Sequence, residues 1–294
     1  MKFLVGDNPF HGISHLSQER ARSRSADEPA SDSLYASQLV KTSLENGASG
    51  FMFSVSETTL SVLREQDQNS KPDLYAIVPY AYEYVRLATQ TGGMSGLAKK
   101  VFRQVAFSKN VLTAAPNLKG LITADPRSYL NTYVIYEMAR IKSVAGKDAR
   151  LKSILLHEII TDLALAYKMD WLFTSYVKFM LRRKIRPGFE TRNFAYLVDK
   201  FREWHIDLEK VTIAAPFNKA GFQMNPSKIA CEEALENVDG SETIAMSVFA
   251  AGYLKPQEAL DYVKTLKNIK GIVVGVSKKR HAEETFALLR KTFV

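Results

Sequence analysis

A histidine and a glutamate close an apolar run in "LKSILLHE", residues 151–158. A neutral imidazole in such a place can polarise a carbonyl or hold a metal, and it can equally be a core histidine bonded to backbone. Glu158 and Glu190, the second in "PGFET" (187–191), are carboxylates at the ends of neighbouring apolar runs. Two carboxylates beside a histidine can act as acid and base or as metal ligands. They can also be ion-pair partners of Arg192 or Lys219. Asp7, in "GDNPFHGISH", is a carboxylate at the end of the first apolar run, where burial is costly without a partner or a function. His11 and His15 in the same stretch share an i, i+4 spacing and are weak metal candidates, because Pro9 and Gly12 favour a turn over a helix. Tyr80 and Tyr82, after "LYAIVP", offer phenolic proton donors. Lys219, in "FNKAGF", stands where a Schiff-base lysine could stand, although the turn-like composition around it favours a surface position.

A second group of residues suits an anion. In "GIVVGVSKKRHAEETF" an apolar run passes through Gly275 and Ser277 into a helix start. Free N–H groups at a helix N-terminus bind oxyanions, and the helix dipole adds to them. Lys278, Lys279 and Arg280 add charge. The plain alternative is a capping turn with Ser277 as N-cap and Glu283 and Glu284 in solvent.

What places these groups together is an alternation of strand and helix patterns. Strands are expected at 2–6, 49–55, 74–80, 151–158, 187–191, 210–218, 243–250 and 269–277, with helices between them, among them 31–46, 194–204 and 256–267. The 31–46 helix has Ser31 or Asp32 as N-cap and Gly47 as its stop. Apolar, little-alternating strands joined by long crossovers imply a parallel sheet covered on both faces. Eight such units close into an α/β (βα)₈ TIM barrel, a single domain over 1–294. An open doubly wound sheet is the alternative, but no G-x-G-x-x-G follows the first strand. In such a barrel the C-terminal strand ends and the loops after them build the site. Asp7, Tyr80, His157, Glu158 and Glu190 are therefore the expected catalytic group. Two connections are long: 10–30, and 81–150, where a helical insertion is expected over 92–145 between strands 3 and 4. "GLAKKVFRQVAFSKNVLTAA" reads there as an amphipathic helix bearing Lys99, Lys100, Arg103 and Lys109.

The composition bounds the partners. Of 294 residues, 46% are hydrophobic and 24% charged, an ordinary globular balance. The single cysteine, Cys231, allows no intrachain disulfide and fits a cytoplasmic location. It falls in a helical pattern, "SKIACEEALENV", as a small buried thiol. No stretch reaches the ~20 apolar residues of a membrane span. A net charge of +9 favours anionic partners, phosphorylated small molecules or nucleotides. Zinc-finger spacing, an RNA-recognition motif and a basic tail are all missing, so nucleic acid is an unlikely partner.

From about 151 to 294 the chain resembles the aldo-keto reductases. "SILLHE" is similar to the family's fourth strand, which ends in an active-site histidine, and His157 takes that position. "LRRKIRPGFETRNFAYL" resembles the passage into the fifth strand, with Asn193 near an asparagine that holds the nicotinamide amide. "APFN" resembles a sixth strand ending in a polar residue, Asn218. "SVFAAGYL" resembles the seventh strand and its loop over the cofactor. "VVGVSKKRHAEETF" resembles the turn that grips the cofactor's phosphate. The resemblance implies a TIM barrel and NADP as a candidate cofactor, with Asn193, Asn218, Gly275, Ser277, Lys278, Lys279 and Arg280 as phosphate and cofactor contacts. The first half departs from the family. Phe53 or Ser54 stands at the position of its catalytic Asp, the tyrosine loop is missing before Glu57, and Pro79 stands where its Lys belongs. The reading that follows is a barrel enzyme divergent from the aldo-keto reductases. It would act on a phosphate-bearing small molecule by carbonyl or acid–base chemistry, as an isomerase, a lyase or an atypical oxidoreductase. The alternative is a non-catalytic barrel that binds a nucleotide or a protein partner.

Overall fold

The computed structural model describes residues 1–11, 32–66, 72–80, 125–145 and 150–293. Eight parallel strands form a closed barrel in sequence order. They are β1 (Lys2–Gly6), β2 (Gly50–Ser54), β3 (Asp73–Val78), β4 (Arg150–Leu156), β5 (Arg186–Glu190), β6 (Thr212–Pro216), β7 (Glu242–Met246) and β8 (Ile269–Gly275). The barrel closes between its first and last strands, with Lys2 opposite Gly271 and Gly6 opposite Gly275.

Several strands stop earlier than the apolar pattern. Beyond Val78 stands Pro79, which has no N–H to give to a ladder. The apolar run after Met246 turns off because Ser247, Ala250 and Ala251 take left-handed backbone conformations, at φ 53°, 46° and 56°.

Nine α-helices cover the barrel among the described residues: α1 (Ser33–Glu45), α2 (Glu57–Arg64), α3 (Pro126–Ala145), α4 (Glu158–Ala166), α5 (Asp170–Arg182), α6 (Phe194–Glu203), α7 (Lys228–Glu236), α8 (Pro256–Thr265) and α9 (Lys279–Phe293). Their starts follow capping chemistry. Asp32 accepts from the Leu34 N–H, and Ser56 and Thr59 form a reciprocal box at the start of α2. Gly47 ends the α1 turn at φ 117°, a conformation that favours glycine. Two helices, α4 and α5, stand between β4 and β5. The expected insertion over 92–145 meets the described residues only from 125 onward. There α3 is the regular crossover helix, packed against α2 and α5. The basic amphipathic stretch with Lys99, Lys100, Arg103 and Lys109 lies outside the described residues.

The barrel interior is filled rather than open. Leu4, Met52, Tyr75, Ile77, Leu155, Ala214 and Ile244 pack together inside it with Val273, while the larger apolar layer lies between strands and helices. Gly188 on β5 admits no side chain: a Cβ there would stand 2.5 Å from Leu155 Cγ and 2.6 Å from Ser153 Oγ. The N-terminal end is closed by an ionic plug. Glu242 on β7 pairs with Lys2 and accepts from Tyr75 Oη at 2.8 Å and Thr212 Oγ1 at 2.7 Å, with Arg186 Nε 3.7 Å away. A charged cluster at this end of a barrel serves stability, and chemistry is left to the opposite rim.

Candidate active site

At the C-terminal rim, β4 leads directly into α4, and His157 is the hinge. Its Nδ1 accepts from the Ile159 N–H at 3.2 Å, capping the helix. That bond fixes the neutral tautomer, since an accepting Nδ1 leaves the proton on Nε2. Nε2 faces Glu190 Oε2 across 4.0 Å, too far for a hydrogen bond and wide enough for a shared third atom. Burial holds the imidazole below its usual range, helped by Arg192; Glu158, Asp7 and Asp162 pull the other way.

Glu190 ends β5, and the same Oε2 accepts from the Glu158 N–H at 3.2 Å. Its carboxyl is pushed up to about 8, first by burial and then by the negative charges of Glu158 and Asp7. The Glu158 N–H and Arg192 offset this only in part. At neutral pH Glu190 therefore carries a proton that it can donate. Glu158, first residue of α4, turns to Arg192 instead, with Nε 2.6 Å from its Oε2.

Asp7 and His11 form a second pair, on the β1 side of the rim. The carboxylate follows β1 directly and is buried, at 4% exposure. One oxygen, Oδ2, receives the Ser54 N–H at 2.7 Å and lies 3.0 Å from His11 Nε2. A short 3₁₀ turn, Asn8–His11, carries the histidine back over the carboxylate, and its ring stacks on Tyr80 at 4.6 Å between centroids. The turn rests on β8: a Cβ at Gly275 would stand 2.9 Å from Pro9 Cδ. Asp7 is electrostatically felt at both His157 and Glu190, which puts the two pairs at one rim.

Several other expected site residues have partners within the protein. Both ends of the Asn218 amide are taken by Phe222, Oδ1 accepting its N–H at 2.8 Å and Nδ2 donating to its carbonyl at 2.9 Å. Asn193 caps no N–H of α6 with its side chain, and its own N–H donates to Thr191 Oγ1 at 2.9 Å. Lys219 is exposed and pairs with Glu258 at 2.6 Å, a surface ion pair and not a buried amine. In the strand 8 turn, Lys279 and Arg280 reach Glu283 and Glu284 one helical turn on, at 4.0 Å and 2.7 Å, and Lys278 is exposed. Cys231 is buried, with its thiol pushed up by burial. His15 and Tyr82 lie outside the described residues. Among the described residues no three His, Cys, Asp or Glu side chains are grouped to hold a metal ion.

One residue escaped the sequence reading. Asp162 accepts from Thr191 Oγ1 and from the Arg192 N–H at 3.2 Å, so it fixes the loop that follows Glu190. Its signal was the i, i+4 spacing from Glu158 on one face of α4, legible only once that helix is recognised.

No protein-family model matches this sequence, and no curated protein does. Two solved structures from Pseudomonas aeruginosa, both described as proposed aldo-keto reductases, superpose along the chain. Each has a TM-score of 0.57 at 10% identity, covering 99% of this chain and 91% or 90% of the other. The chain shares their fold. That fold is a TIM barrel across the first half as well as the second, although the motif resemblance began only at about residue 151. Among the described residues no helix is long and apolar enough to cross a membrane.

Proposed function

We propose that the chain is an enzyme of acid–base chemistry on a carbonyl compound that carries an anionic group. The observation that carries this reading is the gap between His157 and Glu190. His157 Nε2 and Glu190 Oε2 stand on either side of it, 4.0 Å apart, and burial raises the pKa of the Glu190 carboxyl to about 8. A carbonyl oxygen seated beside both would receive two hydrogen bonds, and the negative charge that develops on it would be neutralised by the Glu190 proton. A carboxyl held neutral in a buried place, beside a neutral histidine, is a recurrent way of running acid catalysis near pH 7.

The strand 8 turn is the counterpart that would hold a phosphate. Gly275, Ser277 and Lys278 lead into the N-terminus of α9, and Lys279 and Arg280 sit in exposed ion pairs that cost little to exchange for a ligand. A phosphorylated aldehyde or ketone would use both the acid pair and this turn. Isomerisation, aldol-type cleavage and reduction by NADP share the same first demand, polarisation of that oxygen. The protein would work among the phosphorylated metabolites of the cytoplasm.

The test is turnover of a panel of phosphorylated and unphosphorylated hydroxy-aldehydes and hydroxy-ketones, followed by proton NMR with and without NADPH. Glu190→Gln keeps the shape and removes the transferable proton. It should lower turnover by roughly 10²–10⁴-fold. Conversion of a panel member at the same rate by Glu190→Gln would remove the carboxyl from the mechanism.

A further inference from the structure

The reading above uses an acid and leaves the Asp7–His11 pair without work. That pair is an unusual investment. Both side chains are almost wholly buried, at 6% and 4% exposure, and they are bonded to each other at 3.0 Å. The Ser54 N–H holds the carboxylate from a second strand, and Tyr80 holds the imidazole ring from a third. A buried carboxylate that fixes one nitrogen of an imidazole sets the tautomer: in the neutral ring Nε2–H donates to Asp7 and Nδ1 keeps its lone pair as a base. His157 has the opposite tautomer, its Nδ1 spent on the Ile159 N–H and Nε2 carrying the proton. The C-terminal end of the barrel thus holds a base just after β1 and an acid at β4 and β5. In a closed barrel of eight strands in sequence order, β5 is four strands from β1 in either direction, so the two stand across the mouth from each other.

We infer that His11 is a second proton-transfer group, oriented by Asp7, and that the two sides together move a proton between adjacent carbons of an α-hydroxy carbonyl compound. This inference rests on the acid–base reading above and narrows it to isomerisation. In the first half, His11 Nδ1 takes the proton from the carbon next to the carbonyl as that C–H bond breaks. The electron pair forms the C=C bond of an enediol, and Glu190 gives its proton to the carbonyl oxygen. In the second half, His11 returns its proton to the former carbonyl carbon. Glu190 recovers a proton from the neighbouring hydroxyl, which becomes the new carbonyl. Atoms and electrons balance between the two isomers, and nothing is oxidised or reduced overall. Asp7 is a positioning residue in this scheme, since it acts through the imidazole.

The same panel, incubated in D₂O, reads the inference directly. The wild type should place solvent deuterium at the carbon next to the carbonyl without added NADPH. His11→Ala should slow that incorporation by roughly 100-fold or more per folded molecule. Added imidazole should restore it in proportion to its concentration, which a merely structural role would not allow. Asp7→Asn should shift the pH profile of incorporation. Incorporation that survives in His11→Ala but is lost in Glu190→Gln overturns this inference and leaves the acid reading intact. So does a loss in His11→Ala that imidazole does not rescue, or conversion that requires NADPH. A wild type that exchanges no member of the panel overturns both.

Discussion

Asp7 Oδ2 receives the backbone N–H of Ser54 at 2.7 Å, so a carboxylate that leaves strand β1 is fastened to the end of strand β2. Ser54 is the last residue of β2, so the bond ties neighbouring strands at the C-terminal rim. Substitution separates the two bonds of the carboxylate. Asp7→Ala leaves the Ser54 N–H and His11 Nε2 without their acceptor in a buried place, and should cost about 1–3 kcal/mol of stability. Asp7→Asn retains an acceptor for Ser54 and should cost less. Urea denaturation of the three proteins gives the order, and equal midpoints for Asp7→Ala and wild type would show that the carboxylate is not held by these bonds.

Glu190 ties stability to pH. Its folded-state value is raised from 4.5 to about 8, so between those limits the folded state binds a proton that the unfolded chain has lost. Stability from this group is full at the acid end and falls as pH rises, by at most ~1.4 kcal/mol per pH unit for one proton. His157 has the opposite sign, because its folded value lies below the ordinary 6.5 and its contribution is lost as pH falls. The window between about 6.5 and about 8 belongs to Glu190 alone of the two. Urea unfolding should weaken across it in the wild type and run flatter in Glu190→Gln. The neighbouring charges that set the value are Glu158, Asp7 and Arg192, and Arg192→Gln should move the inflection upward. A wild-type curve as flat as that of Glu190→Gln would mean that the carboxyl is ionised throughout.

The barrel was legible because its signals are redundant. All eight apolar runs became strands, and the caps at Asp32 and Gly47 act as their chemistry suggests. The rim was legible in part: the strand-end rule selects Asp7, His157 and Glu190, and all three lie at the C-terminal ends of their strands. What it could not give is pairing. Glu158 and Glu190 are one residue type at neighbouring strand ends, yet one pairs with Arg192 and the other carries a raised pKa. The difference is set by side-chain direction, Glu158 being on α4 and Glu190 on β5. Asn218 shows how local turn chemistry competes with a site role. An asparagine at a strand end suits a ligand, but the tight turn after β6 consumes both ends of its amide. Strand length was also overread wherever an apolar run continued through left-handed backbone, as at Ser247.

The opposite end of the barrel supplies an independent check. Burial pushes the Glu242 carboxyl up, but bonds from Lys2, Thr212 and Tyr75 outweigh it and hold it below the ordinary carboxylate range. Its stabilising contribution is therefore present above that range and lost as pH falls through it. Glu242→Ala would leave the Thr212 and Tyr75 hydroxyls without their acceptor, while Arg186 keeps its bond to the Glu209 carbonyl. Breaking a wholly buried pair costs ~3–5 kcal/mol, and Lys2 is half exposed, so a loss of about 2 kcal/mol is expected. Turnover per folded molecule should not change, because the plug lies at the rim remote from His157. A large loss of turnover with unchanged stability would place chemistry at the wrong end.

The strand 8 turn is tested through its own counter-charges. Lys279 and Arg280 are each held by a glutamate one helical turn later, so their charge is partly spent before any ligand arrives. Exposed pairs of this spacing are worth only a few tenths of a kcal/mol. A phosphate that gains charge-assisted bonds from the same side chains and from the N-terminus of α9 would gain more than the pairs lose. Lys278→Ala with Arg280→Ala should therefore weaken inorganic phosphate or a phosphorylated ligand by about 1–3 kcal/mol. Glu284→Ala acts in the other direction, since it frees Arg280 and removes a nearby negative charge, and it should tighten the same ligand. Lys219→Ala, which removes a cation already paired with Glu258, is the control and should leave affinity alone. Titration calorimetry at two salt concentrations reads all three, with the effects of the double variant and Glu284→Ala shrinking at high salt. Opposite signs for those two variants identify the turn as the anion site, whereas no change in either would leave it a capped helix start.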